Sequence, residues 1–312
     1  MLDVSTVLKN VRDSGRVVMG LVGARRLLKR LKPDVIFIKG GFVGVPVGLA
    51  AAQLNIPFIT HDSDAIPGLA NRIIARWATA HAVALPKSAY DYPPDKTFTV
   101  GVPISHEFQP VSAALQKKYR QQLDIAHEQV VFVTGGGNGA RQLNSIVVSA
   151  AKKLLEHNKN LVIIHLAGRA FMKETEVMYD EALSSILRSR VIVKGFVSNL
   201  YCYSGAADVI IGRGSATNLA EFALQAKPCI IVPARQLPWT VKNTEALVKN
   251  EAVIAFEEDK LAKQPAPFIA ACNELLNSPI KRKQLGNELS HNLAHPNSAR
   301  ELAGLLLRNA KT

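Results

Sequence analysis

Residues 131 to 144 read VFVTGGGNGARQLN. Apolar and β-branched residues run into a glycine cluster, and a helical pattern follows. A strand, a glycine turn and a helix start together make an anion site, because the first N–H groups of a helix have no carbonyl behind them to meet. Gly135, Gly137 and Ala140 also fit the dinucleotide fingerprint G-x-G-x-x-G/A. The implied chemistry is phosphate or diphosphate binding. A dinucleotide site needs an acid about 20 residues further on, at the end of the next strand, for the ribose. Here that strand ends HLAGRAF, without Asp or Glu. Arg169 suits a 2′-phosphate instead, so an NADP-dependent oxidoreductase stays open at this point. So does a tight strand–helix junction that holds no ligand.

A second signal is IIGRGSATNLAEFALQAKPCIIVP, residues 210 to 233. An apolar strand ends in glycines and Arg213. Ser215, Thr217 or Asn218 can cap the helix that follows. Glu221 falls within its first turn or so, on an otherwise apolar helix. A carboxylate there accepts hydrogen bonds from sugar hydroxyls or serves as a capping-box acid. A third signal is THDSDAIPGLANR, residues 60 to 72, where His61, Asp62 and Asp64 crowd the end of a strand. Ligands of open α/β sheets bind at that end. One His and two Asp in one loop make a poor metal set, so a hydrogen-bonding loop is expected and no metal site.

The elements that position these residues alternate along the chain. Strands are expected at 34–40, 56–62, 81–86, 97–101, 130–136, 161–168, 191–197, 208–214, 228–233 and 252–256. Most are continuous apolar runs, as in parallel strands buried on both faces. Helices fit between them at 44–53, 68–78, 140–156, 171–187, 216–226 and 241–250. After residue 257 the pattern is helical, and Asn297 or Ser298 can cap the last helix. The alternation predicts an α/β architecture with parallel sheets. Residues 102 to 112, VPISHEFQPVS, have two prolines and no period, and read as a linker. The glycine loop is then the first strand–helix turn of a second domain.

With 312 residues, nearly half of them apolar, the chain suffices for two domains. Its formal charge is +13. Basic residues crowd the start: Lys9, Arg12, Arg16, Arg25, Arg26, Lys29, Arg30, Lys32 and Lys39. The stretch RVVMGLVGARRLLKRLKP runs from apolar to basic, which suits an anionic membrane surface or a solvated helix. No recognition motif supports nucleic acid. Cys202, Cys229 and Cys272 lie far apart and read as buried thiols of a reducing compartment. No apolar run nears the roughly 18 residues of a membrane span. The mostly polar first ten residues predict no signal peptide.

Together the three segments resemble MurG-type glycosyltransferases of family 28. KGGFVGVPVGLAAAQLNIPFITHDSDAIPGLANR resembles that family's first-domain core, where the loop reads H-E-x-[ND] and then GL-x-N. TGGGNGARQLN resembles its GGSxGAxxxN loop, and GRGSATNLAE its RSGAxTxxE segment. The resemblance covers about residues 20 to 310. It implies a GT-B fold, two Rossmann-like domains with parallel sheets facing a cleft. The domains would be 1–107, on the acceptor and membrane side, and 108–296, for the nucleotide sugar. The last helix, about 297–312, would pack back on the first domain. It also implies a metal-independent, inverting transferase of peptidoglycan synthesis that works without a cofactor. Such an enzyme moves N-acetylglucosamine from UDP-N-acetylglucosamine to a lipid-linked muramyl-peptide. It would sit peripherally on the cytoplasmic face of the membrane, with roles in cell shape and division. Residues Gly135, Gly136, Gly137, Asn138 and Gly139 would hold the diphosphate. Glu221 would take the ribose, and Val197 would line the uracil pocket. Arg213 and Ser215 open the segment Ala216, Thr217, Asn218 to Glu221 that would wrap the nucleotide. Asp64 would face the donor sugar.

The match also has departures. The family opens with a strand and a GGTGGH-type loop whose His is the proposed base, and no GGxxGH occurs in this chain. The expected first domain is therefore incomplete at its N-terminus. His61 and Asp62 are the remaining candidates for a base. The family's Arg in G-N-P-V-R is Ser105 here, and its loop serine is Gly137. The glutamine that reads the donor sugar falls at Thr240 or Val241. The expectations are a working transferase lacking a segment, a catalytically impaired paralogue, or a split-enzyme subunit needing a partner to supply that half-domain.

Overall fold

The computed structural model describes residues 19–125, 129–137 and 139–311. The chain divides into two compact units, Met1–Pro103 with Asn297–Thr312, and Ile104–Pro296. Residues 100–112 between them contain no helix or strand.

The first unit is a parallel sheet in the order β1-β2-β3-β4. Its strands are Ile36–Ile38, Phe58–Asp62, Ala80–Val83 and Thr97–Thr99. The helices are α1 (19–31), α2 (Gly44–Gln53) and α3 (Leu69–Ile74), and the last helix of the chain, α14 (Ser298–Asn309), joins them. Side chains alternate across a strand, and β2 shows the result. Phe58 packs with Leu28, Ala50 and Ile74 on the side of α1, α2 and α3, while Ile59 packs with Leu302 and Leu305 of α14. Burial on both faces is why these strands are continuous apolar runs. Asn297 takes the N-cap position of α14 without a side-chain cap bond. Ser298 lies inside the helix with its buried hydroxyl unpartnered. Neither residue provides the expected cap.

The second unit is a six-stranded parallel sheet in the order β10-β9-β8-β5-β6-β7. Its strands are β5 (Gln129–Thr134), β6 (Leu161–Leu166), β7 (Val191–Lys194), β8 (Val209–Gly212), β9 (Cys229–Ile231) and β10 (Ile254–Ala255). The helices between them are α5 (Arg141–His157), α6 (Met172–Ala182), α7 (Ser185–Arg188), α8 (Leu200–Ala206), α9 (Ala216–Leu224) and α10 (Pro238–Val248). Helix α4 (Ala113–Gln122) precedes them, and α11 (Glu258–Lys263), α12 (Ala266–Asn277) and α13 (Pro279–Leu293) follow. The strand alternation reads correctly from the sequence. The helix expected over 171–187 is two helices, because Leu183 is extended and Ser184 caps a new start at α7. Helices α4 and α8 are additions, whereas α11 falls in the helical region expected after residue 257. Helix α4 buries only Tyr119 and α8 is one turn longer than a turn, so neither carries a readable apolar stripe. The three cysteines are free and buried.

Candidate functional site

Strand β5 lies between β8 and β6, so the connections from β5 and β8 leave the sheet in opposite directions. That is the switch point of an open α/β sheet, where a crevice forms beyond the strand ends. The glycine loop follows β5, and Arg213 to Ser215 follow β8. At Gly136 and Gly139 φ is +84° and +79°, which side chains rarely adopt. A Cβ on Gly139 would lie 2.4 Å from the Ala167 carbonyl oxygen. Only glycine lets the loop rest against the end of β6. Ala140 takes the N-cap position of α5 and offers no side-chain cap. The first N–H groups of this long helix therefore stay available to an anion. Asn138 lies outside the described residues.

Helix α9 meets this loop from the other side. The built Cβ position of Gly136 lies 3.9 Å from Asn218 Oδ1. Ser215 caps the helix, its Oγ accepting from the Asn218 N–H and donating to Asn218 Oδ1 at 3.0 Å. Asn218 Nδ2 in turn donates to Glu221 Oε2 at 2.9 Å. Ser215, Asn218 and Glu221 thus form one polar line down the helix. Glu221 lies in the second turn, and the third helical position is Asn218. This overturns the capping-box reading. Burial raises the Glu221 pKa to about 7, against the pull of the Asn218 bond. Ala216 is buried and Thr217 exposed.

The remaining second-unit candidates are placed differently. Arg213 pairs with Glu258 at 2.5 Å, both almost fully buried. Its charge ties the β8 loop to the start of α11. Thr240 is buried, and its hydroxyl donates to the Leu237 and Ala234 carbonyls at 2.9 and 3.2 Å. It lines a pocket of about 710 Å³ with Gly135, Gly139, Arg213 and Ser215. Val197 is half-buried just beyond β7. Its neighbour Phe196 stacks under the Arg169 guanidinium, 3.8 Å from the ring centre. Ser105 is exposed and donates to Glu107 at 3.1 Å.

In the first unit, the loop after β2 is closed by its own side chains. Asp62 accepts from the Gly68 N–H at 2.9 Å, from Asn71 Nδ2 at 2.9 Å and from the Tyr92 hydroxyl at 2.8 Å. His61 is fully buried, with Nε2 donating to the Gly101 carbonyl at 2.9 Å. Burial lowers its pKa. His81 stacks on Tyr92 at 3.9 Å and bonds Thr60 at 2.7 Å, and burial lowers its pKa to about 4. The base candidates His61 and Asp62 are both bound up in this framework. Asp64 is half-buried, and its carbonyl accepts from Tyr90.

A second buried group escaped the sequence reading. His165 Nε2 meets Asn144 Oδ1 at 3.0 Å, and its Nδ1 meets the Tyr179 hydroxyl at 2.9 Å. Asn144 Nδ2 donates to the Ala167 carbonyl at 3.0 Å, which fixes the amide and puts the His165 proton on Nε2. The cluster anchors the carbonyl against which Gly139 packs. Its sequence signal is Asn144 at the end of the glycine segment, four residues after Ala140.

Family models decide among the phosphate sites left open above. The C-terminal domain of glycosyltransferase family 28 matches residues 130–295, and the N-terminal domain of that family matches residues 2–83. The chain belongs to glycosyltransferase family 28. A relative from Shouchella clausii (strain KSM-K16) is 32% identical over 82% of this chain and 70% of its own. It is named UDP-N-acetylglucosamine--N-acetylmuramyl-(pentapeptide) pyrophosphoryl-undecaprenol N-acetylglucosamine transferase. A relative of the same name from Bacillus cytotoxicus is 30% identical over 89% of this chain and 76% of its own. Among solved structures, Acinetobacter baumannii MurG superposes with a TM-score of 0.72 at 23% identity, covering 95% of this chain and 79% of that one. A UDP complex of S. aureus MnaA gives 0.68 at 12% identity, covering 94% and 80%. These likenesses establish the fold of the family 28 member as GT-B. The expectation of a sugar-transferring enzyme stands, and the oxidoreductase reading gives way.

Proposed function

We propose that this family 28 chain transfers N-acetylglucosamine from UDP-N-acetylglucosamine to a lipid-linked muramyl-peptide, with inversion and without a metal ion. The observation that carries the reading is the switch point of the second unit. There the uncapped N-terminus of α5 and the N-terminus of α9 converge beside Glu221. Two helix N-termini suit a diphosphate. Glu221 in the second turn of α9 suits the ribose hydroxyls, and Val197 with Phe196 suits the base. In the reaction, the acceptor hydroxyl attacks the anomeric carbon as the bond to the UDP oxygen breaks. The negative charge growing on the leaving diphosphate meets backbone N–H groups that are already oriented, so little reorganisation is needed. The acceptor proton passes to a base that we do not assign.

The first unit supports a membrane-face acceptor. Helices α1, α2 and α3 cover one side of its sheet. Met19, Leu31, Leu69 and Ile73 point outward from α1 and α3, beside Arg25, Arg26, Lys29, Arg30, Arg72 and Arg76. Apolar side chains among cations suit the interface of an anionic leaflet. Lys9, Arg12 and Arg16 lie outside the described residues. No helix among the described residues is long and apolar enough to cross a membrane.

A second reading is an impaired member of the family. Gly137 lacks the expected hydroxyl, Ser105 stands where an arginine is expected, and the Thr240 hydroxyl is used inside its own loop. Calorimetry with UDP and UDP-N-acetylglucosamine, followed by a transfer assay on lipid-linked acceptor, separates the two. Transfer supports the leading reading. Donor binding without transfer supports the second, and no binding at millimolar nucleotide overturns both.

A further inference from the structure

We propose that in this chain the donor sugar is read by Gln236 and Trp239 rather than by residue 240. The inference rests on the donor reading above and names which side chains set its sugar preference. The loop from β9 to α10 is folded around Thr240. The Leu237 N–H donates to the Ala234 carbonyl and the Thr240 N–H to the Leu237 carbonyl, both at 2.9 Å. The Thr240 hydroxyl donates to the same two carbonyls, so its one O–H proton is used in holding the turn. Thr240 lies almost fully buried in the pocket wall, and the turn presents its longer side chains to the same pocket. Gln236 and Trp239 are both exposed and both line the pocket shared with Gly135, Arg213 and Ser215.

The wall is rigid. Gly214, between the pocket residues Arg213 and Ser215, has φ +76°, and a Cβ there would lie 2.6 Å from the Thr244 hydroxyl and 3.0 Å from the Thr240 carbonyl. Asn243 Nδ2 donates to the Gly214 carbonyl at 3.1 Å. Helix α10 is thereby held against the β8 loop, and Trp239, in its first turn, lines the same pocket as Ser215. The Trp239 indole is 42% exposed beside this pocket, which leaves apolar surface for a ligand to cover. A pyranose carries one face of C–H groups, and the electron-rich face of an indole is complementary to it. The Gln236 amide has both a donor and an acceptor for the hydroxyls or the acetamido group at the ring's edge. One side chain takes the face of the sugar and the other its edge.

The chain has two tryptophans, so Trp77→Phe leaves Trp239 as the sole indole. Titrating that protein with UDP and with UDP-N-acetylglucosamine should change the Trp239 emission with the sugar nucleotide only. In calorimetry, Trp239→Ala and Gln236→Ala should each cut the affinity advantage of UDP-N-acetylglucosamine over UDP about fivefold. The affinity for UDP itself should stay within twofold, roughly the error of such a comparison, and Trp239→Phe should recover part of the loss. An unchanged ratio in both variants, with UDP still bound, overturns this proposal alone. Loss of UDP affinity in Trp239→Ala also overturns it, because the indole would then be stacking on the base. Failure of the unsubstituted chain to bind UDP removes the donor reading and this proposal together.

Discussion

Two loops of this chain occupy equivalent places and are built in opposite ways. Both follow a parallel strand buried along its length, β2 in the first unit and β5 in the second. The loop after β2 is filled with side chains that satisfy one another: Asp62 with Gly68, Asn71 and Tyr92, and His61 with Gly101. The loop after β5 is mostly glycine, and the helix behind it begins without a side-chain cap. A polar group can spend its hydrogen-bonding capacity on the protein or keep it for a ligand. The first loop spends it and gains a fixed shape. The second keeps it and depends on glycine and on the Ala167 carbonyl for its shape.

The sharpest way to break this contrast is at Gly139. Alanine there must adopt φ near +79° and place a methyl against the Ala167 carbonyl oxygen. Backbone strain and overpacking together should cost about 4 kcal/mol. Urea denaturation should report that loss, and UDP binding should vanish in the fraction still folded. A Gly139→Ala protein with unchanged stability would mean that the loop does not lie where glycine alone fits.

The first loop should fail differently. Asp62→Ala removes the acceptor of the Tyr92 hydroxyl and the Gly68 N–H, and one of the two acceptors of the Asn71 amide, which keeps the His61 carbonyl. The expected cost is about 3 kcal/mol of stability, from groups stranded in a buried site. UDP affinity of the folded protein should not change, because every proposed nucleotide contact lies in the second unit. Matched losses of stability and UDP affinity would erase the distinction between a framework loop and a ligand loop.

How far the sequence discloses this design differs between the loops. The glycine segment is legible because its chemistry is local: strand, glycines and helix start are consecutive, and backbone does the work. Helix caps were half legible. Ser215 caps α9 as its type suggests, whereas Asn297 and Ser298 do not cap α14. The framework partners were not legible. Asp62 and Tyr92 are 30 residues apart, and His61 and Gly101 are 40 apart. Only the pairing of β2 with β3, and of β3 with β4, brings such residues together. The hydrogen bonding of Thr240 was not legible for a related reason. Its position suggests a sugar contact, but a short hydroxyl beside two loop carbonyls bonds its own turn first.

Glu221 tests the open loop from its α9 side. Its carboxyl is held at about 7 by burial, above the usual carboxylate range, so it is ionised only at higher pH. Hydroxyls of a ribose donate to the ionised form and favour it. UDP affinity should therefore rise as pH goes from 6 to 8, level off above that, and release protons on binding near neutrality. Glu221→Gln should lower affinity at pH 8 by about 2 kcal/mol, roughly 30-fold, and flatten the pH profile. Calorimetry in buffers of different ionisation enthalpy measures both. A wild-type profile as flat as that of the variant would remove Glu221 from the site.

The mildest test adds a group to the open loop. At Gly137 the backbone is not left-handed and nothing lies within 4 Å of a built Cβ. Gly137→Ser should therefore fold with little change in stability, unlike Gly139→Ala two residues away. It also restores the hydroxyl that the resemblance expects. One hydroxyl bond to a phosphate oxygen contributes about 1 kcal/mol, so UDP should bind roughly fivefold more tightly. The gain should be absent for uridine, which has no phosphate to meet it. If uridine gains as much as UDP, Gly137 lies nearer the nucleoside than the diphosphate. The loop would then be open toward a different part of the donor than the helix start implies.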